Sequence, residues 1–149
     1  MAVADVPPAD GVDLIAVREA LEASWSSRTS YGGVWDERNP ALGQCYPTAR
    51  VVQHFFPSAE IVKGVVWTGV SHEVHFWNEL RVGGGSVAVD LTWQQFPPGS
   101  VVVARQVLDR HALGDGATTL ARCDSLLAGV RAHLGGTGGA PDAPRPDGR

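Results

Sequence analysis

Cysteine is scarce in this chain: Cys45 and Cys123 are the only two among 149 residues. Two thiols are too few for a disulfide scaffold or a four-ligand zinc site, and the expectation is a cytoplasmic protein with reduced thiols. Positive charge is thin as well. No run of five or more Lys or Arg occurs, the formal net charge is −4 and the pI is about 5.6. A nucleic-acid footprint is therefore absent. The longest apolar runs fall far short of a bilayer span, so no membrane contact is expected. The opening "MAVADVPPADGVD" has acids and prolines but no basic region, which argues against a secretory signal. No internal repeat is visible. What is there is a chain 44% hydrophobic, enough for one globular domain with its own core.

Periodicity divides the chain. Residues 1–12 read as a loose leader. "VDLIAVREALEASW" places Leu14, Val17, Leu21 and Trp25 at spacings of three and four, with Asp13 as N-cap, and predicts an amphipathic helix. Residues 26–44 are rich in Ser, Gly, Asn and Pro and read as a long loop, a kind of segment that often carries function. That loop holds two aromatics, Tyr31 and Trp35. A short helix follows over 45–56, with Pro47 in its first turn and Pro57 ending it. Cys45, Ala49, Val52 and Phe56 share one stripe of it. Three Val- and Trp-rich segments with period two, at 60–69, 72–82 and 86–93, predict strands, the last two joined as a hairpin over the glycine run. "QQFPPGSVVVARQVL" is a turn and then an apolar stretch of undecided type. Residues 118–134 carry Leu120, Cys123, Leu127, Val130 and Leu134 at helical spacing and predict a closing helix. Residues 135–149 contain no Val, Ile, Leu or aromatic and are expected to be a disordered tail. The single domain is thus 13–134.

Chemistry concentrates at three residues. Cys45 begins a helix, and a helix N-terminus favours a thiolate. A thiolate nucleophile needs a base and a group to orient that base. His75 on the middle strand and Asp90 on the next are candidates on one face of the sheet. If the hairpin loop is 81–84, His75 lies opposite Asp90. If it is 83–86, Asp90 faces Glu79 and the pair is displaced by ~13 Å. The residues allow both registers. His72 is a rival base of opposite strand parity. A metal site from Cys45, His72 and His75 lacks zinc spacing. Cys45 also has a plain reading as a buried core thiol, His75 as a satisfied strand histidine, and Asp90 as a strand-end cap. Trp67, Trp77 and Trp93 read more readily as core than as a ligand platform. Cys123 reads as inert packing and His54 as lying on the flank of the nucleophile helix.

Two resemblances bear on these residues. "GQCY" at 43–46 resembles the Gly-Gln-Cys-Trp stretch around the nucleophile of transglutaminases. "HFWNELRVGGGSVAVDLT" at 75–92 resembles their His-x-Trp-x-Glu strand, Gly-rich turn and following strand that ends Asp-Pro-Thr, with Leu91 where the proline stands. Over residues 24–134 the chain resembles the YunG-like family of small bacterial proteins through "NPALGQC", "TARVVQHFFP", "HFWNEL", "VDLTWQQF" and "ARCDSLL". The resemblance implies an α+β, papain-like or transglutaminase-like fold, with a nucleophile-bearing helix packed on a small antiparallel sheet. It implies Cys45 as nucleophile, His75 as base and Asp90 as orienter. The Cys45 N–H would help form an oxyanion hole. A second donor would come from the Gln44 amide or an indole N–H of Trp25 or Trp35, and Trp35 and Trp77 are candidate substrate contacts.

The implied activity is acyl transfer through a covalent acyl-enzyme: hydrolase, amidase, deamidase, cyclase or transferase. The alternative is a non-catalytic module of the same fold that binds a peptide or small molecule. No cofactor and no metal is expected. Small size points to a small-molecule, peptide-end or carrier-bound acyl substrate. The aromatic loop 31–35, the strand tryptophans and the lack of a charge cluster suggest a largely apolar cleft.

Overall fold

Asp13 opens the first helix as its N-cap, its side chain accepting a 2.7 Å hydrogen bond from the Ala16 N–H. This is the start of the ordered fold in a computed structural model that describes residues 12–137. The expected leader up to residue 11, and the tail from residue 138, lie outside the described residues. Helix α1 spans Leu14–Ser24 and buries Val17, Ala20 and Leu21, with Trp25 closing the stripe. The long loop follows, with a 3-10 turn at Tyr31–Gly33 among several hydrogen-bonded turns. Helix α2 spans Cys45–Phe55. Strands β1 (Glu60–Trp67), β2 (His72–Val82), β3 (Gly85–Val89) and β4 (Val101–Val107) come next, with a 3-10 turn at Trp93–Gln95 before β4. Helix α3 closes the chain over Ala117–Thr137, reaching three residues into the stretch whose composition suggests a tail.

The architecture is α+β: three helices and one four-stranded antiparallel sheet in the order β3-β2-β1-β4. The helices pack on one another and on the face of the sheet that presents Leu80 and Val89. Val51, Val52, Phe55 and Phe56 of α2 and Leu126 and Val130 of α3 complete that core. Asn78, on the same face, ties α2 to the sheet by donating to the Ala49 carbonyl at 3.1 Å and the Glu60 carbonyl at 3.3 Å. The other face of β2 carries His75 and Trp77, whose rings stack with centroids 5.6 Å apart. Gly64 of β1 faces His75, and the Trp77 ring occupies the space a Cβ there would need. No helix among the described residues is long and apolar enough to cross a membrane.

Three elements differ from expectation. The undecided stretch after Pro98 is a strand, β4, every residue of it exposed. Val101, Val102 and Val103 run together because an edge strand with solvent on both faces has no buried side to impose alternation. Strand β3 stops at Val89 rather than 93, because the Asp90 carboxylate accepts the Thr92 N–H at 3.2 Å and turns the chain. Finally, the hairpin takes neither expected register. Val82 pairs with Gly85 over a two-residue turn, Gly83–Gly84, and Asn78 pairs with Val89. Gly83 at φ +62° supplies the left-handed backbone that such a turn favours. Asp90 thus lies past the end of β3, two positions short of the place opposite His75.

Candidate functional site

The loop that leads into Cys45 is laced to itself. The Tyr31 N–H donates to the Gly43 carbonyl at 2.8 Å, and the Ser30 hydroxyl donates to the Leu42 carbonyl at 3.1 Å. Gly43 sits at φ +78°, and a Cβ on it would collide with the Ser30 hydroxyl. Gln44 is fully buried; its amide oxygen accepts from Thr29 Oγ1 at 2.6 Å and its Nε2 donates to the Ser26 carbonyl at 3.1 Å. The Gly-Gln pair therefore fixes where the helix starts, and Cys45 is its first residue, half-buried. Gln44 makes no side-chain cap on α2, and Pro47 in the first turn has no N–H to cap.

His75 has no exposed surface. Its Nε2 is 2.6 Å from Asp90 Oδ2, so the diagonal offset of the register is bridged by the side chains. A carboxylate only accepts, so Nε2 carries the hydrogen. The other Asp90 oxygen is held by the Thr92 N–H, which fixes the carboxylate. Nδ1 of His75 is buried without an aligned hydrogen-bond partner. Trp77, Trp93 and Phe96 wall the ring, Phe96 edge-on at 4.8 Å. Burial alone would depress the imidazole pKa. The Asp90 hydrogen bond, then a hydrogen-bonding contact from Cys45, then the charges of both, overcome that and push it up to about 9. Cys45, His75 and Asp90, which lie on three different elements, are thus brought together.

The remaining residues are placed otherwise. The Gln44 amide is turned to Ser26 and Thr29, and the Trp25 indole donates to Thr48 Oγ1 at 2.9 Å inside the core. Trp35 is largely exposed and lines a separate hollow with Trp25, Ser26 and Val34. Trp77 is buried behind His75. His72 is exposed and packs on Trp67 at the end of the β1–β2 hairpin. His54 is exposed and contacts Arg131 at 2.8 Å. Cys123 is buried in α3, and burial pushes its thiol up to about 11. Among the described residues no three His, Cys, Asp or Glu side chains converge as a metal-binding group.

Cys45 opens into a cleft of ≈ 870 Å³. Its apolar wall is Tyr31, Tyr46, Phe76 and Leu113, but Lys63, Glu73, Asp115 and Arg122 line it too. The expected apolar cleft is therefore a mixed one. The charged residues escape a reading of the chain because they come from β1, β2, the loop before α3 and α3 itself, far apart in sequence. Tyr46 packs edge-on against Phe76 at 4.8 Å and its hydroxyl donates to Asp115 at 2.6 Å. Asp115 also pairs with Arg50. Burial, reinforced by Asp115, pushes the Tyr46 pKa up to about 12. The Arg122 guanidinium lies 5.3 Å from the centre of the Tyr31 ring.

The family described as "YunG protein" matches residues 13–135, which covers α1, α2, the sheet, all but the last two residues of α3 and every residue of the cleft. The chain belongs to the YunG family. A relative in Bacillus subtilis (strain 168), "Uncharacterized protein YunG", is 34% identical over 80 residues, 54% of this chain and 60% of the relative. The match thus spans less than two thirds of that relative's length. No solved structure matches.

Proposed function

We propose that this YunG-family chain is a cysteine-nucleophile acyl-transfer enzyme in which Cys45 attacks, His75 moves the proton and Asp90 orients His75. The transglutaminase-like or papain-like character of the core belongs to the same reading. One observation carries it: a buried imidazole held by a carboxylate on Nε2, with Nδ1 left without a hydrogen-bond partner and Cys45 near enough to help raise its pKa. A purely structural histidine of this burial would have both nitrogens satisfied. The raised imidazole pKa keeps a proton on His75 that it can pass to a leaving group.

The chemistry follows from that arrangement. The Cys45 sulfur adds to the acyl carbonyl carbon, and the carbonyl electrons move to oxygen. The Cys45 N–H, at the uncapped start of α2, faces that oxyanion. On collapse the bond to the leaving amine, ammonia or thiol breaks, and the imidazolium gives that group its proton. A thioester to Cys45 remains. His75 then takes a proton from water or an acceptor amine as it adds, and the acyl group leaves with the sulfur restored. Asp90 holds the ring in place throughout. The size of the cleft suits a small amide, a chain end or a carrier-bound acyl group.

The test is turnover of an amide and thioester library by wild type and Cys45→Ala, with thermal melts of both. Turnover should vanish while the melting temperature moves little, since Cys45 borders the cleft rather than filling the core. A well-folded Cys45→Ala protein with full activity ends the nucleophile reading. A second reading, a binding module on the same fold, draws on the cleft alone. Iodoacetamide separates the two. Cys45 should label much faster than buried Cys123 near neutral pH under the first reading, and both should label slowly under the second.

A further inference from the structure

The cleft holds unequal charges. Its two carboxylates are already engaged. Asp115 pairs with Arg50 and accepts from Tyr46, and Glu73 accepts from the Ser71 hydroxyl at 2.7 Å. Its two cations are not. Arg122 has the Tyr31 ring as its neighbour and makes no ion pair among the described residues. Lys63, the only lysine in the chain, makes no ion pair and no side-chain hydrogen bond among the described residues. Arg122 is half-buried on the second turn of α3, and Lys63 projects from β1, where it pairs with Phe76 of β2. Both line the same cavity as Cys45. A cation–π contact holds the guanidinium in place without neutralising it. Its planar fork is suited to a carboxylate, while lysine serves as a movable point charge.

We infer that the cleft is a carboxylate-binding site, with Arg122 as the principal anchor and Lys63 as the second. This deepens the acyl-transfer reading and rests on it for one element: the substrate bears a carboxylate at Arg122 and presents its acyl carbonyl to Cys45. A cavity of ≈ 870 Å³ accommodates a compact molecule with both groups. Glu73 at the rim is the opposing charge and disfavours substrates with a second anion near β2. The carboxylate can belong to a free acid or to a peptide C-terminus, since the chemistry recognised is the same.

The test is calorimetric titration of the full chain with N-benzoylglycine and with its neutral amide, N-benzoylglycinamide. The acid should bind at least tenfold more tightly than the amide, with affinity that falls as salt is added. Arg122→Gln should erase the preference, Arg122→Lys should restore part of it, and Lys63→Gln should weaken the acid several-fold. Equal binding of acid and amide, absence of acid binding, or a preference that survives both Gln substitutions would overturn the inference. If Arg122→Gln fails to fold, Lys63→Gln at its exposed strand position and the wild-type preference still decide. Iodoacetamide labelling of Cys45 in the same samples keeps the two readings apart. Fast labelling without acid preference removes the carboxylate site and leaves the nucleophile. Slow labelling with acid preference removes the nucleophile and supports the carboxylate site.

Discussion

His75 shows what a single buried residue demands of its surroundings. An imidazole with no exposed surface would ordinarily be neutral, yet Asp90 and Cys45 raise its pKa from 6.5 to about 9. A folded-state pKa above the unfolded one means that folding binds a proton. The stabilisation is then fully present below about pH 6.5 and is lost as pH rises through about 9. A shift of this size corresponds to about 3 kcal/mol. Asp90→Asn should remove the larger share of it. Melting temperatures of wild type and Asp90→Asn should therefore differ most at pH 6 and converge by pH 10. A gap that stays constant across that range would show that the pair does not store a proton. Cys45, His75 and Asp90 can be singled out in the sequence because few side chains suit the roles of nucleophile, base and orienter that are proposed for them. The duty of Gln44 was not, because its partners Ser26 and Thr29 lie across a loop with no periodicity to place them. Arg122 and Asp115 were equally hidden, since neither belongs to a local pattern.

At the scale of elements, legibility followed burial. Helix α1 and helix α2 each bury one side, and strand β2 buries its middle residues on both faces, so their spacing and apolar content announced them. Strand β4 buries no side chain and left no such trace. The β2–β3 register was not readable because three consecutive glycines permit turns at several places, and registers two residues apart keep the same side chains on the core face. The middle of the sheet is tighter. Gly64 pairs with His75 on one side and Arg105 on the other, beneath the Trp77 ring. A Cβ there would meet the indole and come within 2.7 Å of the Ala104 carbonyl oxygen, a backbone atom fixed by the β1–β4 ladder. Trp77 must then move, and His75 stacks on Trp77. Gly64→Ala should lower stability by about 1–3 kcal/mol. It should also lower turnover or Cys45 labelling by disturbing the imidazole. An unchanged melt would mean that the sheet yields there more easily than this packing implies.

At the scale of the whole molecule, the cleft exists because distant parts of the chain are tied across it. One wall is α2 with Tyr46, another is the β1–β2 hairpin, and the third is the segment from Leu108 to Arg122 that returns from the sheet edge into α3. Asp115 joins the third wall to the first, reaching Arg50 and Tyr46 across more than sixty residues of sequence. Its side chain is 10% exposed and that of Arg50 27%, so the pair is sheltered but not dry. Asp115→Ala leaves the phenol without its acceptor and the Arg50 guanidinium with only the Tyr46 hydroxyl to donate to. The cost should be about 1–3 kcal/mol, the range for a sheltered polar group deprived of its partner. Because α1, α3 and the helix-facing side of the sheet share a separate apolar core, the loss should be local. Amide hydrogen exchange should quicken in residues 108–116 and the first turn of α2, while the core amides of α1 and α3 keep their protection relative to the new global stability. Iodoacetamide should then reach Cys45 faster through the loosened wall. Uniform acceleration across all helices would show that Asp115 supports the fold as a whole, and unchanged exchange with an unchanged melt would show that the wall holds without it.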